Sequence, residues 1–416
     1  MFLDTLKTCT EEEIKSIRNG ADLAMKCSID EFTHVHIEND IVKFYGKANS
    51  SISTHSFPDK FSEDKHVILE NLDRLIVKKP IQSSKLTMVN VAKVKLYRPF
   101  YTTNAKVYNI CKVLIVNCKF QGNELFWDDD IFYINCEKAI INVTHSKFSK
   151  IIAKNLFVTN ATSVRRNWAF FNYNLFRKIR LVTCLFLSYF NIRFIGNTFT
   201  KIKGDNMICS EGYIKFAQNT VTHNNLIFAL IYGNQMTYFE LDGNHYISNE
   251  AAGFISVSNS SISDTLYLKF SNNIFESNTL RGDQAFDLEA DEIHFVNDNF
   301  KGNQLNQYFH FEKGKILIEA CTLEYNYYMP NHSCPLLPKS QLNRTKFFFN
   351  VLNFPDESLS YRLNFICPWL QGLSSQKFLR KEYLIDNDED NLRRRLHAKL
   401  IQDWPLHIEN HCTCYM

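Results

Sequence analysis

The stretch Leu268-Lys-Phe-Ser-Asn-Asn-Ile-Phe-Glu-Ser-Asn278 reads apolar-x-apolar-x-x-Asn-x-apolar-x-x-Asn. The same phrase, with three substitutions in its Asn slots, begins at Ile192, Ile214, Phe239, Ile293 and Ile316, at intervals of 22 to 29 residues. A period of that length marks one supersecondary unit stacked on itself, because a unit so short cannot bury its apolar face alone. Apolar residues two apart point to the same side of a strand. Each copy therefore predicts a short strand, a bend at Asn, a second short strand and another bend at Asn.

The first slot holds Asn197, Asn219, Asn244 and Asn273, then Asp298 and Cys321; the second holds Asn224, Asn249, Asn278, Asn303 and Asn326. Asn suits a bend because its side chain bonds to nearby backbone and tolerates the left-handed region. Stacked coils would also let equivalent Asn side chains bond to one another as a ladder, with Phe and Ile stacked inside. Cys118 and Cys321 occupy ladder slots as small buried fillers. A helical repeat fails on pattern, since helices need apolar residues at i, i+3, i+4 and i+7. A leucine-rich repeat lacks its Leu framework here.

Upstream, the phrase continues at Val113-x-Ile115 with Cys118 and Phe120, at Ile141-x-Val143 with Ser146 and Phe148, and at Ala169-x-Phe171 with Asn174 and Phe176. Val94, Leu96, Pro99, Tyr101 and Asn104 fit more loosely. The expected fold is an all-β, right-handed parallel β-helix solenoid of about ten coils. It divides into an N-terminal cap over residues 1–29, irregular early coils or a small β subdomain over 30–90, the β-helix over 91–329 and a C-terminal extension over 330–416.

Composition narrows the function classes. The chain has 416 residues and a net charge of +3, so there is no electrostatic case for a nucleic-acid partner or an anionic membrane. Its 35 Phe and 19 Tyr exceed what an ordinary core needs, and A+T-rich coding accounts for that excess without accounting for the register. Twelve Cys at irregular spacing do not make a disulfide scaffold. The most apolar run, residues 181–190, falls short of the roughly 20 residues a membrane-spanning helix needs. The first residues lack the apolar core of a secretory signal, which points to a cytoplasmic or organellar protein, or to a surface protein whose leader is missing. Six N-x-S/T sequons, an unremarkable number in an Asn-rich chain, add little to the surface reading.

These phrases resemble the right-handed parallel β-helix superfamily called pectin-lyase-like, over roughly residues 90 to 330. The resemblance implies a fold shared by polysaccharide lyases, hydrolases, tailspikes and adhesins, so it implies no single activity. The repeat is most similar to the non-enzymatic surface arrays, although their Gly-rich phrase is missing. The N-T-D, D-D, G-H-G and R-I-K phrases of the hydrolase members do not occur as a set, and the lyases' Arg base has no match that spacing singles out among Arg165, Arg166 and Arg193.

Three clusters carry chemistry-bearing side chains. Asp128, Asp129 and Asp130 follow Trp127, so carboxylates for acid/base work or calcium lie beside a ring that could stack on a sugar; the alternative is a solvated turn. Asp287, Glu289 and Asp291 alternate with apolar residues, which places three carboxylates on one outward face for a cation or a cationic partner, or simply as a solvent face that discourages edge pairing. His407, His411, Cys412 and Cys414 are metal-capable, although their spacing matches no established zinc pattern. No cofactor is otherwise implied, and calcium is the ion these acids could take.

At the ends, Thr10 to Glu13 spell a capping box ahead of Ile14 and Ile17, which predicts a helix covering the first coil. Asp386 to Asp390, followed by Leu392, Arg393 to Arg395, Leu396 and Leu400, predict an amphipathic helix. The leading functional expectation is a non-catalytic scaffold or adhesion protein that meets a protein or carbohydrate surface along its solenoid face. The alternatives are a polysaccharide lyase or glycoside hydrolase of the same fold, and a structural subunit of a cytoplasmic or organellar assembly.

Overall fold

The computed structural model describes residues 33–328 except for breaks at 39–40, 47–48, 55–65, 104–109, 123–129, 137, 161–166, 189–190, 259–265, 306, 312–314 and 325–326. It also describes the strands Leu342–Asn343, Thr345–Phe348, Val351–Leu352 and Tyr383–Ile385. The chain forms two compact units, one ending at Ile214 and one beginning at Lys215. Both are parallel β-solenoids, with about nine turns in all, and no α-helix occurs among the described residues. The helices expected near Thr10 and Leu392 lie outside those residues, as do Asn326, Trp127, Asp128, Asp129, His407, His411, Cys412 and Cys414.

The Leu268 phrase shows how one coil is built. Tyr267–Ser271 is its first side, Ile274–Glu276 its second and Thr279–Leu280 its third. A fourth side, Gln284–Leu288, lies outside the repeated phrase and returns the chain to the next first side, Glu292–Val296. The parallel register aligns the copies as their sequences do: Phe239 faces Leu268, Leu268 faces Ile293 and Ile293 faces Ile316. In the first unit Val113 faces Ile141, Ile141 faces Ala169 and Ala169 faces Ile192.

Earlier coils differ from expectation in one respect. Val94–Leu96 lies on a second side, with Val94 opposite Phe120. The matching first side is Lys85–Val89, where Leu86 faces Val113, and behind it lie His66–Glu70 and Ile41–Gly46. Alternation in a three-residue strand is the same on every side of a coil, so a loosely matching phrase can be set one side out of place.

The corners correct the role expected of Asn. The left-handed residue is the one before the slot: Gly243 before Asn244, Ser248 before Asn249, Asn272 before Asn273, Ser277 before Asn278 and Gln218 before Asn219. Those residues are of many types, since a single left-handed residue costs only about 1–2 kcal/mol. The slot residue turns its side chain inward. Asn197, Asn219, Asn224, Asn244, Asn249, Asn273, Asn278 and Asn303 are all buried to within 1% of full burial.

Each slot Asn spans two coil interfaces. The Asn244 carboxamide oxygen accepts the Asn219 backbone N–H at 2.9 Å and the Asn219 side-chain N–H at 3.1 Å. Its own Nδ2 donates to the Phe216 carbonyl at 2.7 Å and to the Asn273 Oδ1 at 2.9 Å. Asn224, Asn249, Asn278 and Asn303 repeat the arrangement at the second corner, with side-chain links of 2.9 Å throughout. In the first unit the slots step from Cys118 through Ser146 and Asn174 to Asn197. Cys118 and Cys321 are fully buried, as expected of fillers.

The Phe excess becomes stacked columns. Phe120, Phe148, Phe176 and Phe199 stack down the second side of the first unit at 4.6 to 5.0 Å between ring centres. Phe100, Phe132, Phe157 and Phe186 do the same on the fourth side and meet the first column edge-on, as Phe120 does Phe132 at 5.5 Å. In the second unit Tyr246, Phe275 and Phe300 stack within 5° of parallel. Such pairs add about 0.5–1.5 kcal/mol each beyond burial of their area.

Among the described residues two disulfides, Cys111–Cys136 and Cys184–Cys209, lie in the first unit with Cα separations of 6.2 and 6.4 Å. Each spans 25 residues, about one coil, which is why no short spacing motif announced them. Antiparallel strands lie against both described ends: Thr33–Glu38 on Ile41–Gly46, and Tyr383–Ile385 on Thr345–Phe348. Reversed polarity at an edge interrupts further parallel addition.

Replacing Asn244 or Asn273 by Leu strands a buried N–H and a buried carbonyl in adjacent coils, at about 1–3 kcal/mol for each group. Urea unfolding should therefore show a loss of at least about 2 kcal/mol, while Asn272→Ala on the exposed corner costs under about 1 kcal/mol. The double change Cys184→Ser with Cys209→Ser should lower stability by about 2–4 kcal/mol.

Candidate functional site

Inward positions are committed to core and ladder, which leaves the outward residues to face solvent. On the first side of the second unit these align coil upon coil. Tyr238, Tyr267 and Glu292 form one row, and Glu240, Lys269 and His294 form the next. Glu240 is the most enclosed of them, with a side chain only 10% exposed. Lys215 Nζ lies 2.8 Å from its carboxylate and Lys269 Nζ 3.9 Å, and the Tyr238 hydroxyl donates to it at 3.1 Å.

One coil further, Glu292 Oε1 lies 3.1 Å from His294 Nε2, and His294 Nδ1 lies 3.0 Å from the Tyr267 hydroxyl. These partners assign the proton to Nε2, leaving Nδ1 to accept the phenol O–H. Burial, then the Glu292 and Glu240 carboxylates, push the Tyr267 phenol above its ordinary range. Tyr267 is thus held as a proton donor and not as an activated nucleophile. Beside this row, burial of the Asp242 carboxyl is outweighed by hydrogen bonds from Ser271 and Asn272 and by the Lys269 and Lys215 charges, which hold it below the usual carboxylate range. The arrangement is a hydrogen-bonded sheet face whose acids are paired with their neighbours.

The first unit presents a different outward face. Trp168 and Phe170 alternate with buried Ala169 and Phe171, and their rings lie 5.7 Å apart and 8° from parallel. Trp168 also approaches Tyr213 at 5.5 Å, and Ile140, opposite Trp168 on the preceding coil, is 41% exposed. Arg193, opposite Phe170, is exposed. The result is a partly exposed aromatic strip on a flat parallel sheet.

The sequence-derived candidates fall elsewhere. Asp130 Oδ1 accepts a hydrogen bond from Asn155 Nδ2 at 2.8 Å, and Asn155 Oδ1 in turn accepts the Cys184 N–H. Asp130 thus belongs to a cross-coil ladder. Asp287 lies on the fourth side, but that strand ends at Leu288 and the chain turns the corner through Glu289 and Asp291. Asp291 caps the Leu266 N–H at 2.8 Å. Among the described residues no group of three or more His, Cys, Asp or Glu is placed to hold a metal ion.

Sequence reasoning missed both outward faces. The Trp168-Ala-Phe170-Phe171 alternation was available as a signal, because aromatic residues at both outward positions of a strand are unusual. The Tyr267–His294–Glu292 chain had no such signal, since it joins residues on different coils. Comparison with protein-family models, with curated proteins and with solved structures gives no match. No helix among the described residues is long and apolar enough to cross a membrane.

Glu240→Ala removes the nearly buried acceptor of the Tyr238 hydroxyl and the Lys215 ammonium, and chemical denaturation should register a loss of about 1–3 kcal/mol. Lys269→Ala, at a more exposed and longer contact, should cost less than about 1 kcal/mol.

Proposed function

We propose that this protein is a non-catalytic β-solenoid scaffold that binds a protein or carbohydrate surface along its flat side faces. The observation that carries this reading is the aromatic strip of Trp168, Phe170 and Tyr213, with Ile140 beside it, on the outward face of the first unit. Half-buried rings on a rigid sheet bury further area on contact with little loss of side-chain freedom, which suits them to recognition. The pairing of Glu240 with Lys215, and of Glu292 with His294, supports the same reading. Those acids support their own sheet face and do not converge around an open substrate position. The two disulfides favour a surface or secreted setting over the cytoplasm, because disulfides persist where the environment is oxidising. A pectin-lyase-like kinship, on the resemblance of the repeated phrases, fits this reading as a fold that serves binders as well as enzymes.

The second reading is a polysaccharide lyase or hydrolase, and the Tyr267–His294–Glu292 hydrogen-bond chain is what favours it. The two separate on a panel of acidic and neutral polysaccharides offered with and without calcium. A scaffold retains its ligand without turnover, and Trp168→Ala with Phe170→Ala weakens retention by about tenfold or more, the scale of losing one or two stacking contacts. Turnover abolished by Glu292→Gln or His294→Gln overturns the scaffold reading. Localising the tagged full chain tests the setting: residence in the cytoplasm would favour the assembly-subunit alternative.

A further inference from the structure

The slot side chains obey a common rule. Each offers a donor to a backbone carbonyl: Asn244 to Phe216, Asn273 to Leu241, Asn278 to Tyr246 and Asn303 to Phe275. In every one of these the carbonyl belongs to the residue three before the slot of the preceding coil. Cys321, with only a thiol, donates to the Glu319 carbonyl at 3.4 Å.

Asp298 occupies a first-corner slot and breaks the rule if it is ionised. Its Oδ1 replaces the Asn oxygen faithfully, accepting the Asn273 backbone N–H at 2.8 Å and the Asn273 side-chain N–H at 2.9 Å. Its Oδ2 stands where the other slots carry an NH2 group. That atom is buried and has no hydrogen-bond partner. By the spacing rule, the group it faces is the Phe270 carbonyl, which is an acceptor. Two acceptors face to face in a buried corner are stable only if a proton lies between them.

We infer that Asp298 is a proton-operated latch: as a neutral acid it donates from Oδ2 to the Phe270 carbonyl and completes the ladder, and loss of that proton to solvent loosens its own coil from the preceding one and, with it, the coil that follows. That coil comprises Lys315–Glu319 and Thr322–Glu324, and its Thr322 N–H bonds to the Asp298 carbonyl at 2.9 Å. The titratable neighbours are Asp242, Tyr246, Cys321 and Glu319, and none of them supplies a positive charge. Burial pushes the Asp298 carboxyl up to about 7, partly offset by the hydrogen bonds from Asn273 and Val296, and the Asp242 charge adds to the rise.

The sign of the linkage follows. The folded-state value lies above the unfolded one, so between about pH 4 and pH 7 the folded chain holds a proton that the unfolded chain has released. Stability from this site is therefore complete at acid pH and falls as pH rises through that window.

The test compares the full chain with Asp298→Asn, which supplies a permanent donor of the same shape. The unfolding constant of the parent chain, divided by that of the variant, should rise on the order of 100-fold between pH 4.5 and pH 7.5. Amide hydrogen exchange in residues 315–324, corrected for intrinsic rates, should quicken at pH 8 in the parent and not in the variant. Infrared difference spectra at pH 5.5 provide a check that needs no unfolding: the parent should show a buried protonated-carboxyl band that Asp298→Asn removes. Parallel pH profiles, or the absence of that band, would overturn the latch.

Discussion

The backbone N–H of each slot residue points toward the coil that follows, away from any carbonyl of its own corner. In water it would be satisfied without help, but inside a stacked coil only a side chain from the next coil reaches it. The Asn219 N–H is met by Asn244, the Asn244 N–H by Asn273 and the Asn273 N–H by Asp298. Because an unmet buried donor costs as much as several favourable contacts return, each corner can close only if its neighbour carries the right side chain. Stacking is thereby cooperative: a coil is completed by the one after it.

The same corner geometry sets the core. A left-handed residue followed by an inward slot turns the chain sharply while keeping the strands on either side in phase, so Tyr246, Phe275 and Phe300 fall directly over one another. Equivalent rings then stack nearly parallel down a column and edge-on between columns. A wide range of residues serves at the left-handed position, from Gly243 to Gln218 and Tyr173, because it faces solvent, although at Gly196 the Tyr173 ring leaves no room for a Cβ. What remains free to vary is the outward half of every strand. That outward half carries Trp168 and Phe170 in one unit and the Tyr238 and Glu240 rows in the other.

Legibility in the sequence follows how local each interaction is. The Phe239, Leu268, Ile293 and Ile316 register could be read because period-two alternation and the Asn slots recur together and constrain one another. Val94 stands one side out of place in the sequence reading because its short alternating strand has Pro99, not Asn, in the first slot. The left-handed residue was assigned to the slot itself, since Asn is the side chain most tolerant of that region; burial and cross-coil bonding show why a different property of Asn is used there. Asp287, Glu289 and Asp291 alternate with buried Leu288 and Ala290, as their spacing implied, while only Asp287 lies within a strand.

The sequence by itself determined that this chain is a parallel solenoid of short strands, because the repeat places apolar side chains with period two and polar corners at constant spacing, and only stacking buries such a unit. Tertiary structure alone decided what the coils bring together: the Tyr267, His294 and Glu292 chain, the disulfides one coil apart, and Asp298 in a slot that requires a donor. Intervals between copies vary from 22 to 29 residues, with the variation held in the fourth side and its corners. Neighbours across coils therefore stand at no constant distance along the chain, and their meeting is a product of the stack.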